Sequence, residues 1–197
     1  AEHGGRWPRR SGVADLLAQI RDTALTTWRT DPSRLRQDAN LEDDHARYHA
    51  DRLVVELAQN AADAAAHQRP GRLLVRLTKD GRLLAANTGR ALDDAGLRAL
   101  TSLRASAKTT GVGRFGVGFA AVRSVADDID IISRHGQHVV GARFSLRRTR
   151  AALEQAATAD PALAEELTAL HGQLPVLRLP FDLPESAATE LPEDYDT

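Results

Sequence analysis

The run Leu-Val-Val-Glu-Leu-Ala-Gln-Asn-Ala-Ala-Asp-Ala-Ala over residues 53–65 constrains the fold more than any other stretch of the chain. Apart from the β-branched Val54 and Val55, every residue in it is neutral or good for a helix, and none breaks one. Glu56, Asn60 and Asp63 stand at i, i+4 and i+7. At about 100° per residue they share an arc of roughly 60°, with Gln59 at its edge. Leu53, Val54, Val55, Leu57, Ala58, Ala61, Ala62, Ala64 and Ala65 cover the rest. That apolar arc exceeds the ~100° stripe a surface helix needs. The spacing predicts a helix buried on most sides whose polar stripe lines a cavity; a solvated polar face is the plain alternative. A carboxylate one turn before a carboxamide has a chemical use. The Glu can take a proton from water, and the neutral Asn oxygen can hold a Mg²⁺ that keeps its waters and phosphate ligands.

The 197 residues make one large domain or two small ones, and a hydrophobic content of 42% can supply a core. No internal repeat or low-complexity linker divides the chain, so we read one domain over 1–197, with a loose Gly-, Arg- and Pro-rich segment at 1–12. Net charge is −1 with acids and bases interspersed, which gives neither a nucleic-acid stripe nor a membrane-surface patch. No nucleic acid and no membrane are therefore expected as partners. The chain has no Cys, hence no disulfide, thiol nucleophile or Cys-based metal site. It has no apolar run near 18 residues and no signal-peptide pattern, so a cytoplasmic location is expected. The chain starts at Ala1 and contains no Met. It reads as a domain excised from a longer protein, whose further domains would be partners in the same polypeptide.

In chain order, Val13, Leu16, Leu17, Ile20, Ala24 and Leu25 predict a helix over 13–29, stopped by Asp31-Pro32-Ser33. Asn40 can cap the next helix, predicted over 41–66. Leu73–Leu77 and Leu83–Ala86 flank Lys79-Asp80-Gly81-Arg82, a hairpin signal. Asp93-Asp94 opens a short helix through Leu97 and Leu100; 104–113 is a polar loop; Phe115–Val125 reads as a helix entered from glycines. Ile129–Ser133 and Val139–Leu146 form a second hairpin around His135-Gly136. A helical stretch over 150–171 is nicked at Asp160-Pro161, and Val176–Leu179 is a strand between prolines. This is not the regular alternation of a doubly wound fold. It predicts an α+β fold, a two-layer sandwich with a mixed, mostly antiparallel sheet and helices on one face.

Gly111-Val-Gly113-Arg114-Phe115-Gly116-Val117-Gly118-Phe119 is the second informative stretch. Its first six residues match the dinucleotide fingerprint, but no buried strand precedes them, and the phosphate-loop pattern is absent. What remains is general. Closely spaced glycines entering a helix offer bare backbone N–H groups to an anion, Gly116 and Gly118 remove the Cβ from its path, and Lys108 can add a point charge on a phosphate. A flexible glycine loop is the plain alternative. Asn87-Thr88-Gly89 is either a turn or a place where a flat base lies against backbone while Asn87 bonds its edge.

Together, Glu56-x-x-x-Asn60-x-x-Asp63-Ala64, Asn87-Thr88-Gly89 and Gly113–Phe119 resemble the GHKL superfamily of Bergerat-fold ATPases, in order and approximate spacing. Leu57–Ala64, Ser106-Ala-Lys108 and Gly113–Phe119 look most like the N-terminal domain of the ninety-kilodalton heat-shock chaperones, and the sacsin-type domain is similar. The likeness covers roughly residues 45 to 135. It implies ATP as ligand and substrate and Mg²⁺ as cofactor. Glu56 would orient and deprotonate the attacking water, Asn60 would hold Mg²⁺, Asp63 would line the pocket near sugar or base, and Gly89 would approach adenine. Lys108 and Gly113, Arg114, Phe115, Gly116, Val117, Gly118 and Phe119 would bind phosphates, below a short lid at 103–112. Protein clients and a homodimer are partners the likeness allows.

Three residues depart from the superfamily pattern. Asn87 stands where it has an Asp that accepts from the adenine amino group. Ala91 replaces the second glycine of that box. The late Thr that opens a closing strand has no match except Thr197. The expectation is a chain that continues past Thr197 into that strand. The function implied is an ATP-binding, weakly hydrolysing module of a chaperone-like protein. The alternatives are a degenerate nucleotide-binding or interaction domain without turnover, and the catalytic domain of a histidine-kinase-like protein.

Overall fold

Apolar residues at helical spacing put Val13, Leu16, Leu17 and Ile20 on one buried face of α1 (Arg10–Thr30). The computed structural model describes residues 10–65, 70–102 and 118–197. The N-terminal segment read as loose therefore already helical from Arg10. Asp31-Pro32 ends α1 as expected, and α2 (Ser33–His49) follows at once. Asn40 is thus inside a helix and caps nothing. The single helix predicted over 41–66 is two, because the backbone leaves the helical region at His49 and Arg52 on either side of a 3₁₀ turn, Ala50–Arg52. The helix carrying the polar stripe is α3 (Leu53–Ala64). It is not buried on most sides: Val54 and Val55 are 57% and 47% exposed, and only Ala61 and Ala64 of α3 are buried. Periodicity marked a wide apolar arc, but small alanines supply most of it and only its C-terminal end is covered.

Both hairpins form. β1 (Leu73–Leu77) pairs antiparallel with β2 (Leu83–Asn87), turning at Gly81 with φ +83°. After α4 (Asp94–Ser102), Gly118–Ser124 form a 3₁₀ turn, where a helix over 115–125 was expected. β3 (Asp128–His135) and β4 (His138–Ser145) turn at Gly136, also at positive φ. Ser145 caps α5 (Leu146–Ala157), and Asp160 caps α6 (Pro161–Ala169) with Pro161 at its first turn. β5 (Phe181–Asp182) adds antiparallel to β4. The molecule is α+β, with antiparallel sheets of two and three strands; among the described residues no parallel pair makes the sheet mixed.

The core lies between the β3–β4–β5 sheet and the helices. Ile129 and Ile131 of β3 and Val140, Ala142 and Phe144 of β4 meet α1, Leu35 and Ala39 of α2, Leu97 and Leu100 of α4, and Leu153 of α5. Each fully buried Leu or Phe contributes about 1.5–3 kcal/mol. β1–β2 stands apart from this core, with Leu73, Val75, Leu77 and Leu83 exposed.

Asp38 and Glu42, one turn apart on α2, tie the helix to residues 176–178. Asp38 accepts from Trp28 Nε1 at 3.0 Å and from Arg178 Nη2 at 2.6 Å. Glu42, 3% exposed, accepts the backbone N–H groups of Val176 and Leu177 at 3.1 and 2.9 Å, and Arg123 Nε at 3.3 Å. Val176–Leu179 is accordingly not the predicted strand: the Val176 and Leu177 donors go to a carboxylate, those of Arg178 and Leu179 bond back to Pro175 and Val176, and the backbone turns as a 3₁₀ segment, Val176–Arg178. Burial pushes the Glu42 carboxyl up to about 7, against the pull of these three donors.

The C-terminal tail joins the two sheets. Asn87 N donates to Thr197 O at 2.7 Å, Asp196 N donates to Asn87 O at 3.0 Å, and Arg134 N donates to Asp196 O at 2.8 Å. The end of β2 and the end of β3 are thus paired through residues 196–197. Arg82 to Glu190, at 2.8 Å, and Arg72 over the Tyr195 ring hold the approach of the tail to β1 and β2.

Candidate functional site

Three stretches far apart in sequence wall one cavity of about 200 Å³. α3 contributes Asn60 and Ala64; the end of β2 and the loop after it contribute Asn87 and Arg90–Asp93; the start of α4 and the tail contribute Gly96 and Thr197. The volume is below the roughly 300–1,000 Å³ of pockets that enclose a whole drug-sized ligand. Asn60 is half-buried, and its carboxamide bonds to no described residue. Asn87 is fixed through its backbone by the tail, and its Nδ2 reaches the Thr88 carbonyl at 3.4 Å.

Glu56 lies one turn before Asn60 and does not line this cavity. Its Oε1 is 2.8 Å from Nδ1 of His49, with the two side chains 13% and 15% exposed. Its Oε2 rests against the Cα of Gly118, in space that any Cβ at 118 would need. The kink at 50–52 makes this contact, since it folds the end of α2 back over the first turn of α3. The carboxylate is therefore held at one oxygen, with the other at the last glycine of the Gly113–Phe119 stretch.

The remaining expected residues are placed as follows. Asp63 is exposed and lines no part of the cavity. Gly89 is buried with φ +131°, and its Cα sits on the Ala64 carbonyl and Ala65 nitrogen, where a side chain would collide with backbone. Its N–H donates to Asp196 Oδ2 at 2.8 Å. The glycine is needed for backbone packing on α3, not to line the cavity. Phe119 packs on the core. Lys108, Gly113, Arg114, Phe115, Gly116, Val117 and the lid at 103–112 lie outside the described residues. Asp130 on β3 is engaged by Arg143 on β4 through two bonds of 2.6 Å.

Among the described residues no group of three or more His, Asp or Glu side chains could hold a metal. Asn60 offers a different kind of site: one neutral oxygen on the cavity wall, fit for a Mg²⁺ whose other ligands are water and phosphate. Among the described residues no helix is long and apolar enough to cross a membrane. Comparison with protein-family models, curated proteins and solved structures gives no match to this chain.

Sequence reasoning missed several residues that the fold brings to the site. His49 falls seven residues before Glu56, about 10 Å along a continuous helix; the 3₁₀ turn at Ala50–Arg52 brings the two together, and no residue there signals it. Ser133 is a polar residue on the apolar face of the alternating Ile129-x-Ile131-x-Ser133 strand, a signal that was legible. Arg90 and Asp93 line the cavity only because of the loop's path, which no spacing reveals.

Proposed function

We propose that the chain is an ATP-binding, Mg²⁺-dependent module that hydrolyses ATP slowly, part of a chaperone-like protein of GHKL type. The observation that carries this is the convergence of Asn60, Asn87 and Thr197 on one cavity; the resemblance assigns the first to the metal and the second to the base, and sets its late Thr, matched here by Thr197, beside the phosphates. In this reading the base sits against Asn87, and the phosphates run past Asn60 and Thr197 toward the Gly113–Phe119 stretch. Mg²⁺ held by Asn60 would neutralise phosphate charge. Glu56, oriented by His49 and Gly118, would take the proton of the attacking water. The tail's bridging of β2 and β3 supports a single sheet under one layer of helices, the two-layer sandwich such a module implies. Protein clients, further domains, a homodimer and a cytoplasmic setting belong to the same proposal.

A second reading is nucleotide binding without turnover. It is favoured by the position of Glu56 outside the cavity wall, one oxygen already engaged. The test is MgATP binding by calorimetry alongside phosphate release. Glu56→Ala is expected to bind as wild type and to lose hydrolysis by roughly 10²–10⁴; Asn60→Ala is expected to weaken Mg²⁺-dependent binding itself. Wild-type binding with no phosphate release selects the second reading. Unchanged hydrolysis in Glu56→Ala removes that residue from the chemistry.

A further inference from the structure

The strand β1, Leu73-Leu74-Val75-Arg76-Leu77, is one edge of the two-stranded sheet. The bonds at the two ends of the hairpin fix which of its backbone groups face outward. Thr88 N donates to Arg72 O, and Thr78 N donates to Arg82 O. Leu73 opposite Asn87 and Leu77 opposite Leu83 are therefore non-hydrogen-bonded pairs, and so is Val75 opposite Ala85 between them. The N–H and C=O groups of Leu73, Val75 and Leu77 point away from β2, and among the described residues no backbone group pairs with them. The same three residues share one face of the strand. Leu83 of β2 stands opposite Leu77 on that face, and the four side chains are 37–73% exposed.

An apolar strand with an open edge is a template for a second strand. The other edges are blunted. β2 is joined to the tail at Asn87, and β5 has only two residues. The outer edge of β3 is tied to the tail at Arg134 and carries Asp128 and Asp130.

We propose that β1 is a dimer interface, where a second copy of this chain pairs antiparallel across a two-fold axis at Val75. β1 is its own complement in that register. Val75 meets the partner's Val75 and Leu73 meets the partner's Leu77, and each pair exchanges both backbone bonds because its groups face outward. The exposed rows of the two copies merge into one apolar face. On the other face Arg76 meets the partner's Leu74, so no like charges stand directly opposite. The contact is isologous and closes as a dimer. The resemblance allows a homodimer without naming a surface. This surface does not rest on the nucleotide reading, since none of Leu73, Val75, Leu77 and Leu83 lines the cavity.

Pairing along so short an edge covers less than about 1,200 Å² in total, the range of weak and transient complexes. Sedimentation equilibrium of wild type between about 10 µM and 1 mM should show a monomer–dimer equilibrium with a Kd on the order of 100 µM. Val75→Lys sets two ammonium groups against each other at the axis and should weaken the dimer about tenfold. Leu77→Lys, at the most exposed of the four positions, should weaken it as well. The chain has no Cys, so single cysteines report the register. Val75→Cys should oxidise to a covalent dimer, because the Cα atoms of a hydrogen-bonded pair lie about 5.5 Å apart, within disulfide reach. Arg76→Cys should not, since its two copies are diagonal neighbours about 8 Å apart. A wild type that stays monomeric at 1 mM overturns the proposal. So does either lysine variant, folded by circular dichroism, that dimerises as wild type does, and so does a Val75→Cys that cross-links no faster than Arg76→Cys. If Val75→Lys does not fold, Leu77→Lys decides.

Discussion

Glu42 should make the stability of the fold fall as pH rises. Its carboxyl is buried on α2 and faces Arg123, whose guanidinium also reaches Asp127, and the N–H groups of Val176 and Leu177; one turn away, Asp38 is paired with Arg178. In the unfolded chain it titrates at about 4.5, and burial moves it to about 7 in the fold. The folded state then binds more protons between those values, so this contribution to stability is complete below about pH 4.5 and is lost as pH rises through about 7. At about 1.4 kcal/mol per pH unit, the loss is about 3 kcal/mol. Glu42→Gln removes the titration. Its carboxamide can accept only one of the two backbone donors, a pH-independent cost of about 1–3 kcal/mol. The assay is urea denaturation followed by circular dichroism at pH 5, 6, 7 and 8 for both proteins. The stability of wild type relative to Glu42→Gln should fall by about 2.5 kcal/mol across that range, since part of the loss already lies below pH 5. A flat difference would refute the reasoning. A rising one would mean that the three donors outweigh burial and keep the carboxylate ionised.

Other substitutions probe the geometry of the site. Gly89→Ala places a Cβ on the Ala64–Ala65 backbone at φ +131°, so a loss of at least about 2 kcal/mol is expected in thermal or urea melts; a loss under about 0.5 kcal/mol would contradict the packing. Gly118→Ala occupies the position of Glu56 Oε2; with the glutamate forced aside, phosphate release should fall about tenfold or more while MgATP affinity holds, and equal loss of both would place Gly118 in binding instead. Deleting Asp196 and Thr197 removes the bonds that join Asn87 to Arg134. It should lower the melting temperature by several degrees, about 4 °C or less per kcal/mol for a chain of this size, and weaken MgATP binding in parallel. A melt that is unchanged would show the sheets to be joined some other way.

The secondary elements that punctuation specifies were legible. Asp80-Gly81 and His135-Gly136 gave both hairpins, Asp31-Pro32 the end of α1, and Asp160-Pro161 the break between α5 and α6. What misled was tertiary. Nothing in residues 49–52 breaks a helix by propensity, yet the chain turns there and so sets His49 on Glu56. Val176–Leu179 has the apolar content of a strand, but Glu42, 134 positions from Val176, takes its first two donors. Of the residues on the cavity wall, chemistry and spacing singled out Asn60, Asn87-Thr88-Gly89 read equally as a turn, and Thr197 was marked by resemblance alone. The duty of Gly89 was misread, because a sequence shows that a glycine is permissive but not which backbone presses against it. Ser133 shows the opposite case, a lone hydroxyl on an apolar face whose meaning depended on the tail that reaches it.

Titration of MgATP into wild type and Asn87→Leu, followed by calorimetry, tests the account most directly. Asn87 holds its neighbours through its backbone, and its side chain makes one long contact, to Thr88, so Leu there should leave the fold intact while removing the acceptor at the cavity wall. The account predicts saturable one-to-one binding to wild type with a Kd of about 1 µM to 1 mM, weakened about tenfold or more in Asn87→Leu. No binding to wild type at millimolar MgATP, or equal affinity in the two proteins, would contradict it.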